Sequence, residues 1–254
     1  MKDPAEPCRT AVVVAAGMGS RLGDQTRNTP KPLVEVGGRP LLWYVLRGLG
    51  LAGIRRCVVV VGYLRHLIES RLPGLVPAGM EVTTVVNPAW ERPNGLSVLR
   101  ARAELSDVPR FVVHMADHLI EPQALECLLG STRVPGLLVD PNPSATCDLE
   151  DATRVWVEDA SVCRIGKLLE PFNGVDTGAF ILDHSVFGAL EESADGGDES
   201  LTGGMRRLAR RGSLAAVALP AGAEWLDIDT ARDLALAARL LAAGWGHEWM
   251  SLKD

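Results

Sequence analysis

The chain has 254 residues, enough for one large α/β domain or two small ones with a buried core. Its 47% hydrophobic and 23% charged content is ordinary for a globular protein, and 26 basic against 32 acidic residues give a net charge of −6. That balance, without a long basic run, argues against nucleic acid or an anionic membrane surface as the main partner, while leaving room for a local basic pocket.

Five cysteines (Cys8, Cys57, Cys127, Cys147, Cys163) are dispersed without a C-x-x-C pair, which suits reduced thiols and argues against zinc. No apolar run approaches the length of a membrane span, and the N-terminal MKDPAEPCRT lacks a signal-peptide pattern. A soluble cytoplasmic protein is expected. Only four residues are Lys, against 22 Arg, so the two internal lysines, Lys31 and Lys167, stand out as compact point charges.

In chain order, RTAVVVAA is a continuous apolar run stopped by glycine, the pattern of a strand covered on both faces. A helix starts near Pro40 in PLLWYVLRGLGLAG, with proline in its first turn and glycine past its end. Strand RCVVVVG, helix LRHLIESRL, strand EVTTVVN and a helix around Leu96–Leu105 follow. Strand RFVVHMAD ends at Asp117, and EPQALECLLG forms the next helix. This alternation predicts a mostly parallel sheet with right-handed crossovers.

The second half is more mixed. PGLLVD, TRVWVED, SVCRIGK and VDTGAFIL read as short strands, the middle two as a hairpin. Helices near Ser185–Glu192 and Leu201–Arg211, strand SLAAVAL, and a long helix opened by WLDIDT and running to Ala243 complete the chain. ESADGGDES reads as a mobile polar loop. Without an internal repeat or a clear linker, residues 1–254 are expected to form a single catalytic domain.

The stretch Ala11–Leu33, AVVVAAGMGSRLGDQTRNTPKPL, carries the main chemical signal. Gly17-Met18-Gly19-Ser20-Arg21 starts like a dinucleotide fingerprint, but Leu22 stands where G-x-G-x-x-G needs glycine. The residues that follow do not pattern as the helix that would seat a pyrophosphate, and the second strand ends without an acidic ribose hook. A dehydrogenase site is disfavoured. A triphosphate loop fits better: glycines admit backbone amides, and Arg21 and Lys31 supply charge from opposite ends of one loop. The competing reading is a tight glycine turn with solvated charges.

The segment AAGMGSRLGDQTRNTPKPLVEVGGRPLL resembles the signature of the nucleotidyltransferases that join a nucleoside triphosphate to a phosphorylated small molecule, G-x-G-x-R followed by P-K-P-L. The similarity extends over most of the chain, to the helix after WLDIDT. It implies a Rossmann-like, GT-A-like α/β fold: a mostly parallel central sheet flanked by helices, with a substrate-side β-hairpin region in the second half. It also implies Mg²⁺, held by Asp117 at a strand end and by Asp227, with Asp229 the close second. A hard cation between phosphate oxygens needs carboxylates on rigid elements, whereas a lone strand-end Asp more often caps a turn or helix.

The same resemblance assigns Ala15, Ala16, Gly17, Gly19, Ser20, Asn94, Gly95, Ser97 and Ala116 to the nucleotide, and Arg21, Lys31 and Lys167 to catalysis. PNGLSV is similar to the base-and-ribose segment of cytidylyltransferases. MADH, DATRV, RIGK and FNGVDTGAFIL, in that order, are similar to the enzymes that make CDP-inositol from CTP and inositol 1-phosphate. Lys167 is thereby assigned to the acceptor phosphate, and His118, Asp176, Thr177 and Gly178 to the acceptor. For Lys167 the plainer alternative is a solvated strand-end charge, and for Asp176 a turn cap before Gly178; Arg154 reads as a sheet-surface charge.

His114 and His118, four apart on a strand, are too distant to chelate one metal easily, so His114 is read as packed and His118 as a hydrogen bonder to substrate. Trp245 and Trp249 read as a dimer contact or lid, or, preferentially, as aromatics packing the last helix. Many members of the resembled family are fused to a membrane domain that consumes the product, and no span is legible here, which implies a separate membrane enzyme. Rival functions are cytidylyl transfer to phosphocholine, a phosphonate or a sugar 1-phosphate, and a silent nucleotide sensor. A phosphocholine site would want an aromatic cage, and Tyr63, Trp90 and Trp156 offer no obvious one. A sensor would be expected to lose a metal aspartate or the P-K-P lysine, and both are kept.

Overall fold

The computed structural model of the chain describes residues 8–143 and 148–250. Cys147, Lys2 and Lys253 lie outside the described residues, as does most of the N-terminal MKDPAEPCRT. The first half contains strands β1 (Thr10–Ala15), β2 (Glu35–Val36) and β3 (Arg39–Pro40), helix α1 (Leu41–Leu51), β4 (Arg56–Val61), α2 (Arg65–Arg71) and β5 (Glu81–Val86). It continues with α3 (Gly95–Arg100), β6 (Phe111–Met115), β7 (His118–Ile120) and α4 (Pro122–Leu129). The second half adds β8 (Gly136–Asp140), β9 (Arg154–Glu158), β10 (Ser161–Gly166), β11 (Gly174–Leu182), α5 (Ser185–Asp195) and α6 (Leu201–Arg210). It ends with β12 (Ala215–Ala218), β13 (Trp225–Asp227), α7 (Ala231–Ala242) and α8 (His247–Met250).

Nine strands form one sheet in the order β5-β4-β1-β6-β11-β8-β12-β10-β9. The half built first, β5-β4-β1-β6, is wholly parallel, as the alternating pattern predicts. β11 inserts antiparallel between β6 and β8, and only β8–β12 is parallel beyond it, so the complete sheet is mixed. The expected hairpin is β9–β10, turning through Asp159 and Ala160, both at positive φ.

Along β1, Ala11, Val13 and Ala15 pack into one core and Val12 into the other, which is why the run lacks polar alternation. One face is covered by α1, α2, α4, α7 and α8, through Leu46, Ile68, Leu125, Ala237 and Trp249. The other is covered by α3, α5 and α6, through Val98, Phe187 and Met205.

Three local features differ from the sequence reading. The stretch after Pro32 carries the small β2–β3 hairpin, turned by Gly37 and Gly38 at positive φ, before α1 begins at Leu41. α5 runs on through Asp195 into the expected polar loop, because Ser193 is buried and its hydroxyl donates to the Asp198 carbonyl. The Asp117 strand end does not stop the chain's β structure either: β7 follows at once and pairs antiparallel with β13, setting His118 opposite Asp227. That pairing could not be read locally, since its two strands are more than a hundred residues apart and three residues long each.

Candidate active site

The site lies beyond the carboxyl ends of β1 and β6, where an open α/β sheet leaves a crevice. After β1 the chain passes Gly17 and Gly19 into two short 3₁₀ turns, Ser20–Thr26 and Lys31–Leu33, and no α-helix follows. Gly19 is left-handed (φ +68), and a Cβ there would meet the Lys31 side chain at 2.6 Å, so the glycine lets the lysine stem cross the loop. Ala15, Ala16 and Ala116 are buried, and the backbone of the last two is engaged: Tyr63 N donates to the Ala16 carbonyl and Ala116 N to that of Val14. Gly17 has open space around it, and Ser20 is exposed beside it.

Lys31 is only 5% exposed, and its Nζ donates to Asp117 Oδ2 and Asp229 Oδ1, each at 2.6 Å. Arg21 Nη2 pairs with Asp229 Oδ2 at 2.7 Å, and Nη1 pairs with Asp151. Asp151 is also bound by Lys167 Nζ. A continuous chain of opposite charges therefore runs Lys167–Asp151–Arg21–Asp229–Lys31–Asp117. All three cations expected from the sequence meet in it. Asp229, the second choice as a metal ligand, is committed to two cations, which leaves Asp227 as the partner of Asp117.

The β7–β13 pairing and the donation of Ile228 N to the Asp117 carbonyl (3.0 Å) fix Asp227 beside Asp117. His118 lies between them, Nε2 at 3.7 Å from Asp117 Oδ1 and 3.5 Å from Asp227 Oδ1. Its Nδ1–H donates to the Thr177 carbonyl at 2.7 Å, which aims Nε2 at the carboxylates. Burial would lower the imidazole pKa, but Asp227, Asp117 and that carbonyl hold it above the ordinary value. Burial likewise opposes ionisation of Asp117, yet Lys31 and His118 outweigh it and bring the pKa down to about 2. Asp227 goes the other way: burial, assisted by the charges of Asp117 and Asp229 and opposed by His118, pushes it up to about 7.

Asp117, His118 and Asp227 each offer one ligand atom, all within 4.8 Å of one another. Asp227 Oδ1 is buried without a hydrogen-bond donor. An orphaned carboxylate oxygen at the junction of two acidic groups fits a divalent cation, and two carboxylates suit Mg²⁺. The expectation for His118 is thus extended: it faces the metal-type carboxylates as well as the cavity. His114 is packed as expected, fully enclosed, with its pKa lowered to about 4 by burial.

On the acceptor side, Gly178 adopts φ +80, and a Cβ there would strike the His118 ring at 2.4 Å. Asp176 Oδ1 accepts from Gly178 N at 2.7 Å, the turn-cap role, and Asp176 also lines the cavity, where burial pushes its pKa up to about 6. Thr177 is a correction: its hydroxyl is buried and donates to the Leu138 carbonyl, so its side chain serves the sheet and only its carbonyl serves the site. Ser97 is another, enclosed in the core and accepting from Asn87 Nδ2, so its side chain faces no ligand. Gly95 lets α3 pack against the start of α6, since a Cβ would meet the Glu199 carbonyl at 2.4 Å. Asn94 lines the cavity while its Oδ1 accepts from Leu201 N.

Arg21, Asp117, His118, Lys167, Asp176 and Asp227 border a cavity of about 710 Å³, which also receives Asp140, Glu224, Trp225 and Trp245. Sequence reasoning missed Asp151 and Trp225. Asp151 lies within the quoted DATRV, but nothing local says that its turn reaches Arg21. Trp225 stacks on His118 (centroids 5.9 Å apart) and donates Nε1 to Asp140. Tyr63 and Trp90 pack on each other at a tilt, and Trp156 lies under Arg164, so none of the three aromatics weighed as a cage lines the cavity. Trp249 packs on Tyr44, as preferred, whereas Trp245 reaches the cavity rim. Arg154 is no plain surface charge: it covers Phe172 and pairs with Glu170. No helix among the described residues is long and apolar enough to cross a membrane.

Two curated relatives, each named bifunctional IPC transferase and DIPP synthase, match this chain: that of Thermococcus kodakarensis at 32% identity over 91% of the chain, that of Rubrobacter xylanophilus at 37% over 92%. The chain spans about half the length of these relatives, 50% and 52%. Among solved structures, the inositol-1-phosphate CTP transferase from T. maritima superposes with a TM-score of 0.81 at 28% identity, covering 93% of this chain and 96% of that one. The MobA-like NTP transferase domain family matches residues 11–147, and the chain belongs to that family as a nucleotidyltransferase.

Proposed function

We propose that the chain transfers the cytidylyl group of CTP to inositol 1-phosphate, giving CDP-inositol and pyrophosphate. The observation that carries this reading is the meeting, in one cavity, of the Arg21–Lys167 pair with the Asp117–His118–Asp227 donor group. The first suits a phosphate monoester and the second a metal-bound triphosphate. The likeness to the T. maritima enzyme supports the choice of nucleotide and acceptor.

In this mechanism the glycine loop at Gly17, Gly19 and Ser20 receives the triphosphate through backbone amides. Asp117 and Asp227, with His118 Nε2 beside them, would hold Mg²⁺. The ion, when bound, offsets charge on the phosphate oxygens. Lys167 and Arg21 orient the acceptor phosphate, whose oxygen attacks the α-phosphorus in line, and Lys31 stabilises the departing pyrophosphate. The acceptor is already an anionic nucleophile, so no covalent enzyme intermediate is needed. Positioning and charge supply the rate, and losing one such contact costs about 10²–10³ in turnover.

A second reading has its own observation. The same cavity carries Asp140, Asp176 and Glu224 with Trp225 and Trp245, a lining that suits a cationic headgroup as well as hydroxyls. Pyrophosphate release is therefore measured with CTP, UTP, ATP and GTP against inositol 1-phosphate, phosphocholine, 2-aminoethylphosphonate and glucose 1-phosphate. CTP with inositol 1-phosphate is expected to give the highest kcat/KM. Preference for an amine-bearing acceptor would replace the polyol reading, and CTP binding without release would mark a nucleotide sensor.

A further inference from the structure

We propose that Asp151 is a resident stand-in for the acceptor phosphate, holding the Arg21–Lys167 seat closed and competing with the acceptor for it. The inference rests on the functional reading above only in taking that seat as the acceptor's. One carboxylate presents one oxygen to each cation: Oδ1 to Lys167 Nζ and Oδ2 to Arg21 Nη1. Two oxygens of a phosphate monoester would bridge the same two cations in the same way, adding charge-assisted hydrogen bonds.

Exposure separates this part of the charge chain from the rest. Side chains of Arg21, Asp151 and Lys167 are 52%, 36% and 55% exposed, whereas Lys31 is 6% exposed. Ion pairs as open as the first contribute little to stability and exchange readily; the enclosed pairs of Lys31 do not. Arg21 keeps Asp229 on its second nitrogen, so the guanidinium stays oriented if Asp151 leaves. Asp151 itself rides on a turn, Asp151 N and Ala152 N both donating to the Asp148 carbonyl, and belongs to no strand or helix. The turn is pinned at Thr153, whose carbonyl accepts from Asp176 N at 2.8 Å, so the carboxylate can swing without the turn detaching from β11.

The arrangement selects by charge. A phosphate monoester carries nearly two negative charges at neutral pH and outcompetes a single carboxylate; a carboxylate ligand or a phosphodiester carries one and does not. In the transfer, an acceptor oxygen forms the new bond to the α-phosphorus as the bond to pyrophosphate breaks. The acceptor phosphate becomes an internal diphosphate unit with one charge. Asp151 then regains the advantage, which favours product release.

The test is calorimetric binding of inorganic phosphate at fixed ionic strength to the wild-type protein and to Asp151→Asn, Asp148→Asn and Asp151→Asn/Lys167→Gln. Asp148 lines the same cavity and its Oδ1 accepts from Glu150 N within the turn, so its substitution changes the local field without opening the seat. Asp151→Asn is expected to bind phosphate roughly three- to tenfold more tightly, Asp148→Asn less than about twofold, and the double variant to lose the gain. In turnover, Asp151→Asn is expected to lower both the acceptor KM and kcat, because the acceptor enters more easily and the product leaves more slowly. Equal tightening by Asp148→Asn, unchanged phosphate binding in Asp151→Asn, or a raised acceptor KM would overturn the proposal, the last pointing to contact with acceptor hydroxyls. Tighter phosphate binding with no cytidylyl transfer to inositol 1-phosphate would support the seat while refuting the functional reading.

Discussion

Replacing Lys31 by Met removes the ammonium and keeps an unbranched stem to cross Gly19, so the change isolates charge from packing. Lys31 Nζ sits between Asp117 and Asp229 at 2.6 Å from each, and it is enclosed. Removing one partner of a buried pair typically costs about 3–5 kcal/mol, because the remaining charge is left uncompensated. Arg21 still holds Asp229 and His118 still faces Asp117, so the lower end, about 3 kcal/mol, is expected. For a chain of this size that lowers Tm by roughly 6–12 °C.

The pH dependence has a definite sign. Lys31 helps hold the Asp117 pKa down to about 2, so this pair contributes fully above the ordinary carboxylate range and fades as pH falls towards 2. In Lys31→Met the carboxylates can take up a proton and relieve their repulsion, so the stability deficit is smaller at pH 5 than at pH 8. Metal-free thermal melts at the two pH values read this directly, and pyrophosphate release is expected to fall by about 10²–10³. A Tm within 2 °C of wild type at pH 8, or an equal deficit at both pH values, would refute the electrostatic reasoning.

Gly178→Ala is expected to destabilise by about 2–4 kcal/mol and to reduce turnover, since an L-residue at φ +80 is strained and its Cβ displaces the His118 ring; chemical denaturation with parallel turnover checks it. Asp227, at about 7, is half protonated near neutrality, so Mg²⁺ binding is expected to release more protons at pH 6 than at pH 8.5, measurable by calorimetry in buffers of different ionisation enthalpy. In metal-free protein the same raised pKa favours the folded state at low pH, an advantage lost as pH rises through about 7. Thr230→Ala breaks the capping box with Asp233, whose carboxylate also accepts from Asp229 N; about 1 kcal/mol of stability should be lost with some activity, seen in melts and turnover. Burial pushes the Cys57 thiol up to about 12, so a thiol reagent should label exposed Cys127 in the native protein and Cys57 only after unfolding, as peptide mapping would show.

The parallel half of the sheet was legible because β1, β4 and β6 are buried on both faces and its strands alternate with helices, a local pattern with few competing topologies. The glycine loop was legible because Gly17, Gly19, Arg21 and Lys31 are close in the chain. What local pattern could not give was pairing at long range. Asp229 reads as a metal ligand by position alone, yet two cations from the first loop claim it. Ser97 and Thr177 stand in the expected segments, but side-chain direction sends both hydroxyls inward. Asp151 stands in the quoted DATRV, but its pairing shows only when its turn is seen against Arg21 and Lys167. Trp225 enters the cavity through β13, a three-residue strand defined only by its partner β7.

The central claim is that an oxygen of the acceptor's phosphate becomes bonded to the α-phosphorus of CTP. Inositol 1-phosphate labelled with ¹⁸O in its phosphoryl oxygens, incubated with CTP, Mg²⁺ and the protein, puts this to a direct test by mass spectrometry. All of the label is expected in CDP-inositol, with unlabelled pyrophosphate. Label appearing in pyrophosphate, or labelled inositol 1-phosphate recovered unchanged while CTP is consumed, would contradict it.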